Sequence, residues 1–498
     1  MANAMLSPEG IDLEYKTAKS SLPKDFWPTY SAFANTIGGT VILGVSEPEK
    51  GQFQVVGVHN AIKIMADLQN TACNLGKVST NLITDDDLTI EEMAGKTVVV
   101  VKVREAEYSQ KPVYLNGNHD ACYVRLGDGD HHPTNEQFKY MVANSNENVD
   151  DLLLDNYTVD DLNLNDINEF RDLMINNTHR ESLKKLSVQQ FLLEIGCFKI
   201  DRRNAKREEK MTAGCLLFFG KYNAIVQKFP GFQLDYFRKS SSYDERWINR
   251  ISTGDMNYPE MNIYSFYNKT LEALTGGIQD KFIQDGNLTR GSYFSDMKIA
   301  VKEALVNSLM HAYYDSDEPI SITEFDDYYE FMNPGDMRVT KEEFIHGSNP
   351  KSRNAIISLL LRRVGIAERA GSGGPAIFNA AAKNRLRVPD IEREADKTRI
   401  RIWKIDFIRS LGDFTESQKI VVTYAMEHNN QIIMSEMLQA INISNFKARK
   451  AVNELVESKT LARYGNGRAT KYILETTEEA GILGFKMMLK HFEDSMKS

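Results

Sequence analysis

Positive charge, cysteine and long apolar runs are all scarce in this chain of 498 residues. Its 60 Lys and Arg against 69 Asp and Glu leave a net charge of −9 and a pI near 5.7. That balance excludes a protein that coats nucleic acid or an anionic membrane over its whole surface, so any basic contact must be local. The four cysteines, Cys73, Cys122, Cys197 and Cys215, are far apart and form no CxxC pair. Neither a disulfide framework nor a zinc site is indicated, and a reducing cytoplasm is the expected compartment. No stretch of about 18 apolar residues occurs, and the opening MANAMLSPEGIDLEYK lacks an apolar signal core, so membrane crossing is not expected. GxSxG, HExxH and Walker A sequences are absent too, which removes the hydrolase classes built on them and any P-loop motor. His119 and His131-His132 lack a carboxylate at ligand spacing, so they read as exposed loop residues.

What is present is a globular composition: 42% hydrophobic, 26% charged, with a mean hydropathy of −0.40. The length implies roughly three or more domains. Between Trp27 and Val45 the pattern predicts a helix, a stop at Gly38-Gly39 and the strand TVILGV; KTVVVVKV (Lys96 to Val103) is a β-branched run of the kind buried on both faces. Asn116-Gly117 predicts a hairpin. An acidic stretch, NSNENVDDLLLDNYTVDD, follows, with the first boundary near residue 145. MTAGCLLFFGK reads as an apolar strand ending at Gly220, and FPGFQLDYFRK as its neighbour in a sheet. SYFSDMKIAVKEALVNSLMHAYY carries Ile299, Ala300, Ala304, Leu305 and Leu309 at helical spacing, and PISITEF, YYEFMN and RIRIWKI are strands around a helix AIISLLLRRV. From Phe414 onward three helical segments precede LARYGNGRATKYIL, the outline of a helix-turn-helix with a β-wing.

Glu303, Asn307 and His311 stand at i, i+4 and i+8, close to one stripe of a helix. An Asn oxygen can complete the shell of a Mg²⁺ otherwise held by phosphate and water, and a Glu one turn earlier can orient or deprotonate a water. Downstream lie Asn333-Pro334-Gly335 and Gly371-Ser372-Gly373-Gly374, turns whose missing Cβ atoms let backbone N–H groups approach a nucleotide. The order VKEALVNSLMHAYY, FMNPGDM, SRNAIISLL, ERAGSGGPAI resembles the ATP-binding domain at the C-terminal side of RecG-like helicases and transcriptional regulators, a branch of the GHKL ATPases. The resemblance implies ATP with Mg²⁺ at Asn307, Glu303 serving hydrolysis and His311 and Asn333 lining the site. It further implies Gly335 by the base, Gly371 and Gly373 by the phosphates, and Arg353 and Asn354 in a mobile lid. Where that family commonly shows His-Arg-Asp-Tyr, this chain has His311-Ala312-Tyr313-Tyr314, a departure that bears on hydrolysis more than on binding.

EGIDLEYK, SAFANTIGGTVILGV, KPVY and CYVRLGDG occur in an order that resembles the Schlafen-type AlbA-like domain, also called the divergent AAA domain, over about the first 140 residues. That implies a nucleic-acid-binding module. Some members are ribonucleases, and Glu9, Glu14 and Lys16 have the matching spacing, with the carboxylates disposed to bind a divalent ion and Lys to stabilise developing charge. Ser46 stands where an acidic residue is common. In the C-terminal segment, Lys447, Arg449 and Lys450 begin a recognition helix from Asn445 to Glu457, and Arg463, Arg468 and Lys471 flank an Asn-Gly wing.

The expected fold is α/β (α+β) and multidomain. It comprises an AlbA-like domain at 1–145, a connecting α/β region at 146–290, a GHKL-like α/β sandwich at 291–410, a winged helix at 411–480 and a helical tail at 481–498. The expected function is a cytoplasmic, ATP-responsive transcriptional regulator that binds double-stranded DNA as a homodimer. The alternative is a nuclease or ATP-dependent defence effector using Glu9, Glu14 and Lys16.

Overall fold

The computed structural model describes residues 6–145, 149–203, 206–239, 247–278, 292–367, 371–394, 396–412, 414–428, 430–465 and 470–484. The chain divides into two compact units, 1–147 with 394–396, and 148–393 with 397–498.

The first unit is organised by strands β1 (Leu13–Lys16), β2 (Gly39–Leu43), β3 (Leu88–Met93) and β4 (Lys96–Val103), in the order β1-β2-β4-β3, with β1 parallel to β2 and the other pairs antiparallel. Helix α1 (Phe26–Asn35) stops where Gly38, at φ +78°, donates its N–H to the Phe33 carbonyl at 2.9 Å. A Cβ at Gly39 would fall 2.6 Å from the Phe33 ring, so the turn into β2 needs a bare backbone. The run in β4 is buried on both faces: Val99, Val101 and Val103 pack with Phe33 and Val41, while Val98 and Val100 pack with Tyr15 and Ile42. Asn116 and Gly117, both at positive φ, make the hairpin turn between Tyr114–Leu115 and Asn118–Cys122.

The second unit is built on a six-stranded mixed sheet. Its strands are β5 (Leu234–Arg238), β6 (Asn249–Ser252), β7 (Ile320–Glu324), β8 (Tyr328–Pro334), β9 (Asp390–Arg393) and β10 (Lys397–Trp403), in the order β6-β5-β7-β8-β10-β9. Helices α2 (Ile263–Gly276) and α3 (Ser292–His311) pack together, and α3 also packs against the sheet. Between β8 and β9 come α4 (Lys341–His346), α5 (Ala355–Arg363) and α6 (Gly373–Lys383). One apolar core runs from Leu154 to Leu483, so the region before β5 shares its interior with the sheet. On α3, Ala300, Ala304, Leu305 and Leu309 are buried, whereas Ile299 is half exposed.

The expectation for MTAGCLLFFGK is corrected. Glu209–Thr212 is a strand, but Ala213–Phe219 is a helix, capped by the Thr212 hydroxyl accepting the Cys215 N–H at 3.2 Å. Nor is β5 its neighbour, because Glu209–Thr212 pairs with Leu153–Leu154 and Phe198–Ile200 in a separate sheet. All seven helical residues are buried, so no polar face betrays the helical period.

A C-terminal module has its own core around Val421, Val422, Ile432, Val452 and Leu461. It consists of α7 (Glu416–Glu427), α8 (Met434–Ala440), α9 (Asn445–Glu457), β11 (Leu461–Tyr464) and β12 (Lys471–Leu474), with a short strand Gln431–Ile433 beside β12.

Candidate functional site

Glu303, Asn307 and His311 of α3 all line one cavity of about 300 Å³, which α4 and the loop from Gly371 to Gly374 also enclose. A second cavity of about 50 Å³ adjoins it at Asn307 and His311 and is walled by Asn333, Asp336, Arg353 and Thr398. The i, i+4, i+8 spacing thus delivers three polar groups to one space, as the helix geometry requires. Burial, with the Arg353 and Arg338 charges nearby, pushes the His311 pKa down to about 4, so its ring is neutral at pH 7.

The C-terminal end of α3 leaves carbonyls without partners inside the helix. Arg353 and Asn354 supply them. Arg353 Nε donates to the His311 carbonyl (2.8 Å), its Nη2 to the Asp336 carbonyl (2.6 Å), and Asn354 Nδ2 to the Met310 and Ala312 carbonyls (3.0 and 2.8 Å). Both residues are buried. These two residues, expected in a lid, clamp a helix end with buried side chains. Gly335 has φ +101°, and a Cβ there would meet the Arg353 guanidinium at 2.9 Å; its carbonyl accepts the Thr398 hydroxyl at 3.0 Å. Asn333 donates to the Pro334 carbonyl at 3.3 Å.

The glycine-rich loop is packed against bare backbone. Gly347, the C-cap of α4, and Gly371 are both at positive φ and cross so closely that a Cβ on either would lie 2.2 or 2.4 Å from the other's carbonyl oxygen. A Cβ on Gly374 would lie 1.8 Å from the Phe344 carbonyl oxygen. On Gly373, at the start of α6, it would lie 2.6 Å from Asn307 Nδ2 and 2.9 Å from Glu303 Oε2. The carboxylate and the amide therefore converge on a helix N-terminus, where the dipole favours anions.

The Asn307 Nδ2 atom is buried and has no hydrogen-bond partner among the described residues. Buried amides are ordinarily satisfied, so an orphan at a cavity wall fits a ligand-facing role. A half-turn of the amide would present its oxygen instead. Among the described residues no group of three or more His, Cys, Asp or Glu could hold a metal by itself. A Mg²⁺ beside Asn307 would therefore draw its remaining ligands from phosphate oxygens and water, which suits its preference for few protein donors. Lys351 and Arg362 also line the cavity. They were not singled out in the sequence, where the only signal for Lys351 was its place in the polar loop HGSNPKSRN.

In the first unit, Glu14 is buried with its two oxygens 2.6 Å from Arg125 Nη2 and 2.7 Å from Lys16 Nζ. Arg125, 1% exposed, also binds Asp130 at 2.8 Å and the Gly10 carbonyl at 3.0 Å. Glu9 accepts the Tyr15 N–H at 2.8 Å, and its pKa is raised, first by burial. The spacing of Glu9, Glu14 and Lys16 thus brings Glu14 and Lys16 together, but around protein cations. Arg125 was missed because 111 residues separate it from Glu14.

Lys447, Arg449 and Lys450 are exposed at the start of α9, beside Phe446, which is 78% exposed. Lys447 and Arg449 make no ion pair among the described residues, and Lys450 lies 3.7 Å from Glu454. Tyr464 faces Lys471 across the β11–β12 pair and Arg463 faces Tyr472. Strand alternation then sends Arg463 and Lys471 to opposite faces. Arg463 and Lys471 therefore do not present a common face. Arg468 and the Asn466-Gly467 turn lie outside the described residues.

Three family models match parts of the chain. Residues 9–134 match "Schlafen, AlbA_2", residues 139–235 match a domain of unknown function (DUF8451), and residues 317–402 match "Putative ATP-dependent DNA helicase recG C-terminal". The last contains Asn333, Gly335, Arg353, Asn354, Gly371 and Gly373, while Glu303, Asn307 and His311 precede it. Among solved structures, the chain is similar to the DIP2311 protein from Corynebacterium diphtheriae, at 14% identity with a TM-score of 0.39 over 93% of this chain and 95% of that one. It is also similar to the N-terminal domain of a RecG-related protein from Nitrosomonas europaea, at 28% identity with a TM-score of 0.19 over 24% and 82%. No curated protein matches. No described helix is long and apolar enough to cross a membrane.

Proposed function

We propose that this chain is an ATP-responsive DNA-binding regulator: Mg²⁺-ATP occupies the cavity between α3 and α6, and the C-terminal module, a winged helix, contacts duplex DNA. One observation carries the nucleotide half, namely the convergence of Glu303 and Asn307, whose buried Nδ2 has no partner among the described residues, on Gly373 at the mouth of a helix N-terminus. The match of residues 317–402 to a RecG C-terminal model supports it. In this reading Asn307 holds the ion and the N–H groups of the Gly371–Gly374 loop face phosphate. Neutral His311 keeps cationic charge off the ion's side, and Glu303 positions a water. When bound, the ion would offset phosphate charge. The DNA half rests on the exposed cations of α9, whose first turn is the part that a helix-turn-helix places in the major groove.

Two measurements test this reading. Calorimetry should show Mg²⁺-ATP binding by the wild type that Asn307→Ala abolishes or strongly weakens; no heat in either protein would refute the nucleotide site. Selection of bound fragments from genomic DNA, with and without ATP, should enrich discrete sequences, and recovery of none would refute the regulatory reading. For the first unit, the engagement of Glu14 by Arg125 and Lys16 favours a binding role over cleavage.

A further inference from the structure

β12 ends at Leu474, and after only three residues the chain enters a helical turn, 478–484, that leaves the C-terminal module. Leu483 is buried in the core of the six-stranded sheet domain, with Ile482 packed against it. Glu479, 4% exposed, brings Oε1 to 2.8 Å from Lys341 Nζ and accepts the Ile391 N–H at 3.0 Å. Glu478 Oε2 lies 3.0 Å from the same ammonium. Lys341 is the first residue of α4, whose Glu343 and Phe344 wall the large cavity and whose C-cap Gly347 crosses Gly371. The wing strand is thus tied, through a three-residue connection and a buried carboxylate, to the helix that encloses the candidate nucleotide.

We propose that the segment 475–484 is a transmission strap, with Lys341 and Glu479 as positioning residues that make nucleotide binding and DNA binding mutually dependent. The inference rests on the nucleotide-site reading above and adds how that site is regulated. In the strapped state Lys341 ties the N-terminus of α4 to the strap, while Gly347 at the other end of the helix abuts Gly371. A ligand that displaces α4 must pull on β12, and DNA that repositions the wing must pull on α4. Coupling of this kind is reciprocal, since each ligand changes the other's affinity by the same factor. The buried carboxylate is suited to the task, because one ion pair of low solvent exposure is screened less than a surface contact.

The test uses the full chain and the variants Lys341→Met, which keeps most of the side-chain volume, and Glu479→Gln, which keeps an acceptor for the Ile391 N–H. Calorimetry gives the affinity for Mg²⁺-ATP, and fluorescence anisotropy at fixed salt gives the affinity for a random-sequence duplex with and without saturating ATP. Wild type should show an ATP-dependent shift in duplex affinity of about fivefold or more. At least one variant that binds ATP and duplex separately as wild type does should lose that shift. Variants that retain it overturn the strap, as does a wild type that gives ATP heat without any shift. A wild type without ATP heat overturns the nucleotide-site reading, and the strap with it. A merely structural role would lower both single-ligand affinities or the melting temperature while leaving the ratio unchanged.

Discussion

Gly373→Ala is the sharpest probe of the site. Its Cβ would stand 2.6 Å from Asn307 Nδ2 and 2.9 Å from Glu303 Oε2, closer than such atoms can approach, so both polar groups must withdraw. Overpacking of this kind costs about 1–3 kcal/mol. Because the displaced atoms are side-chain ends rather than backbone, the cost is expected in ligand binding and not in folding. At about 1.4 kcal/mol per tenfold, the loss corresponds to a roughly 5- to 150-fold weaker Mg²⁺-ATP affinity by calorimetry. The neighbouring Gly374→Ala should behave oppositely, since its Cβ would meet the Phe344 carbonyl oxygen at 1.8 Å and backbone cannot swing aside. It should lower the melting temperature in calorimetric scans. If Gly373→Ala binds Mg²⁺-ATP with wild-type affinity, the placement of the ligand beside Asn307 and Glu303 is wrong.

Arg125→Met strands Glu14 and Asp130 without their shared cation, and breaking a buried pair in this way should destabilise the first unit by about 3–5 kcal/mol, read by differential scanning calorimetry of the full chain. His311 has a folded pKa lowered to about 4, below its ordinary 6.5, so its contribution to stability is complete above pH 6.5 and is lost as pH falls toward 4. Denaturant titrations should show that acid limb in wild type and a flatter one in His311→Gln. Asp150 has the opposite sign: burial raises its pKa to about 6 although it accepts the Ile356 and Ile357 N–H groups, so its contribution is lost as pH rises through 6. Asp150→Asn should therefore gain stability relative to wild type above pH 6. For DNA, replacing both Lys447 and Arg449 by Ala should reduce the slope of log affinity against log salt by about 0.9 for each phosphate contact removed, and an unchanged slope would place the DNA elsewhere.

Local patterns were legible in the sequence, and long-range partners were not. The β-branched run in β4 and the Asn116-Gly117 turn carry their structure in adjacent residues, because strand burial and positive φ are properties of a few consecutive positions. The stripe Glu303, Asn307, His311 was equally local, being a matter of helix period. Ala213–Phe219 was misread because a helix buried all round has the same composition as a buried strand; the signal that could have decided it was Thr212, an N-cap residue immediately before the run. The roles of Arg353, Asn354 and Arg125 depend on carbonyls and carboxylates that the fold brings from elsewhere in the chain, and no spacing rule encodes that meeting. For the same reason nothing adjacent to Glu479, which falls in the segment expected as a winged helix, signals its pairing with Lys341.

The reach of the second core, from Leu154 to Leu483, also has a consequence for how the protein is made. At synthesis rates of about 5–20 residues per second, more than ten seconds separate the emergence of Leu154 from the arrival of Leu483. During that interval the socket for Leu483 stands open, and the nascent chain exposes apolar surface of the kind that chaperones hold and proteases find. Ribosomes that stall before Glu479 would release a polypeptide with every wall of the cavity translated but without the clasp on α4. A chain cut before Glu479 therefore lacks both the carboxylate that clasps α4 and the Leu483 side chain that fills this core.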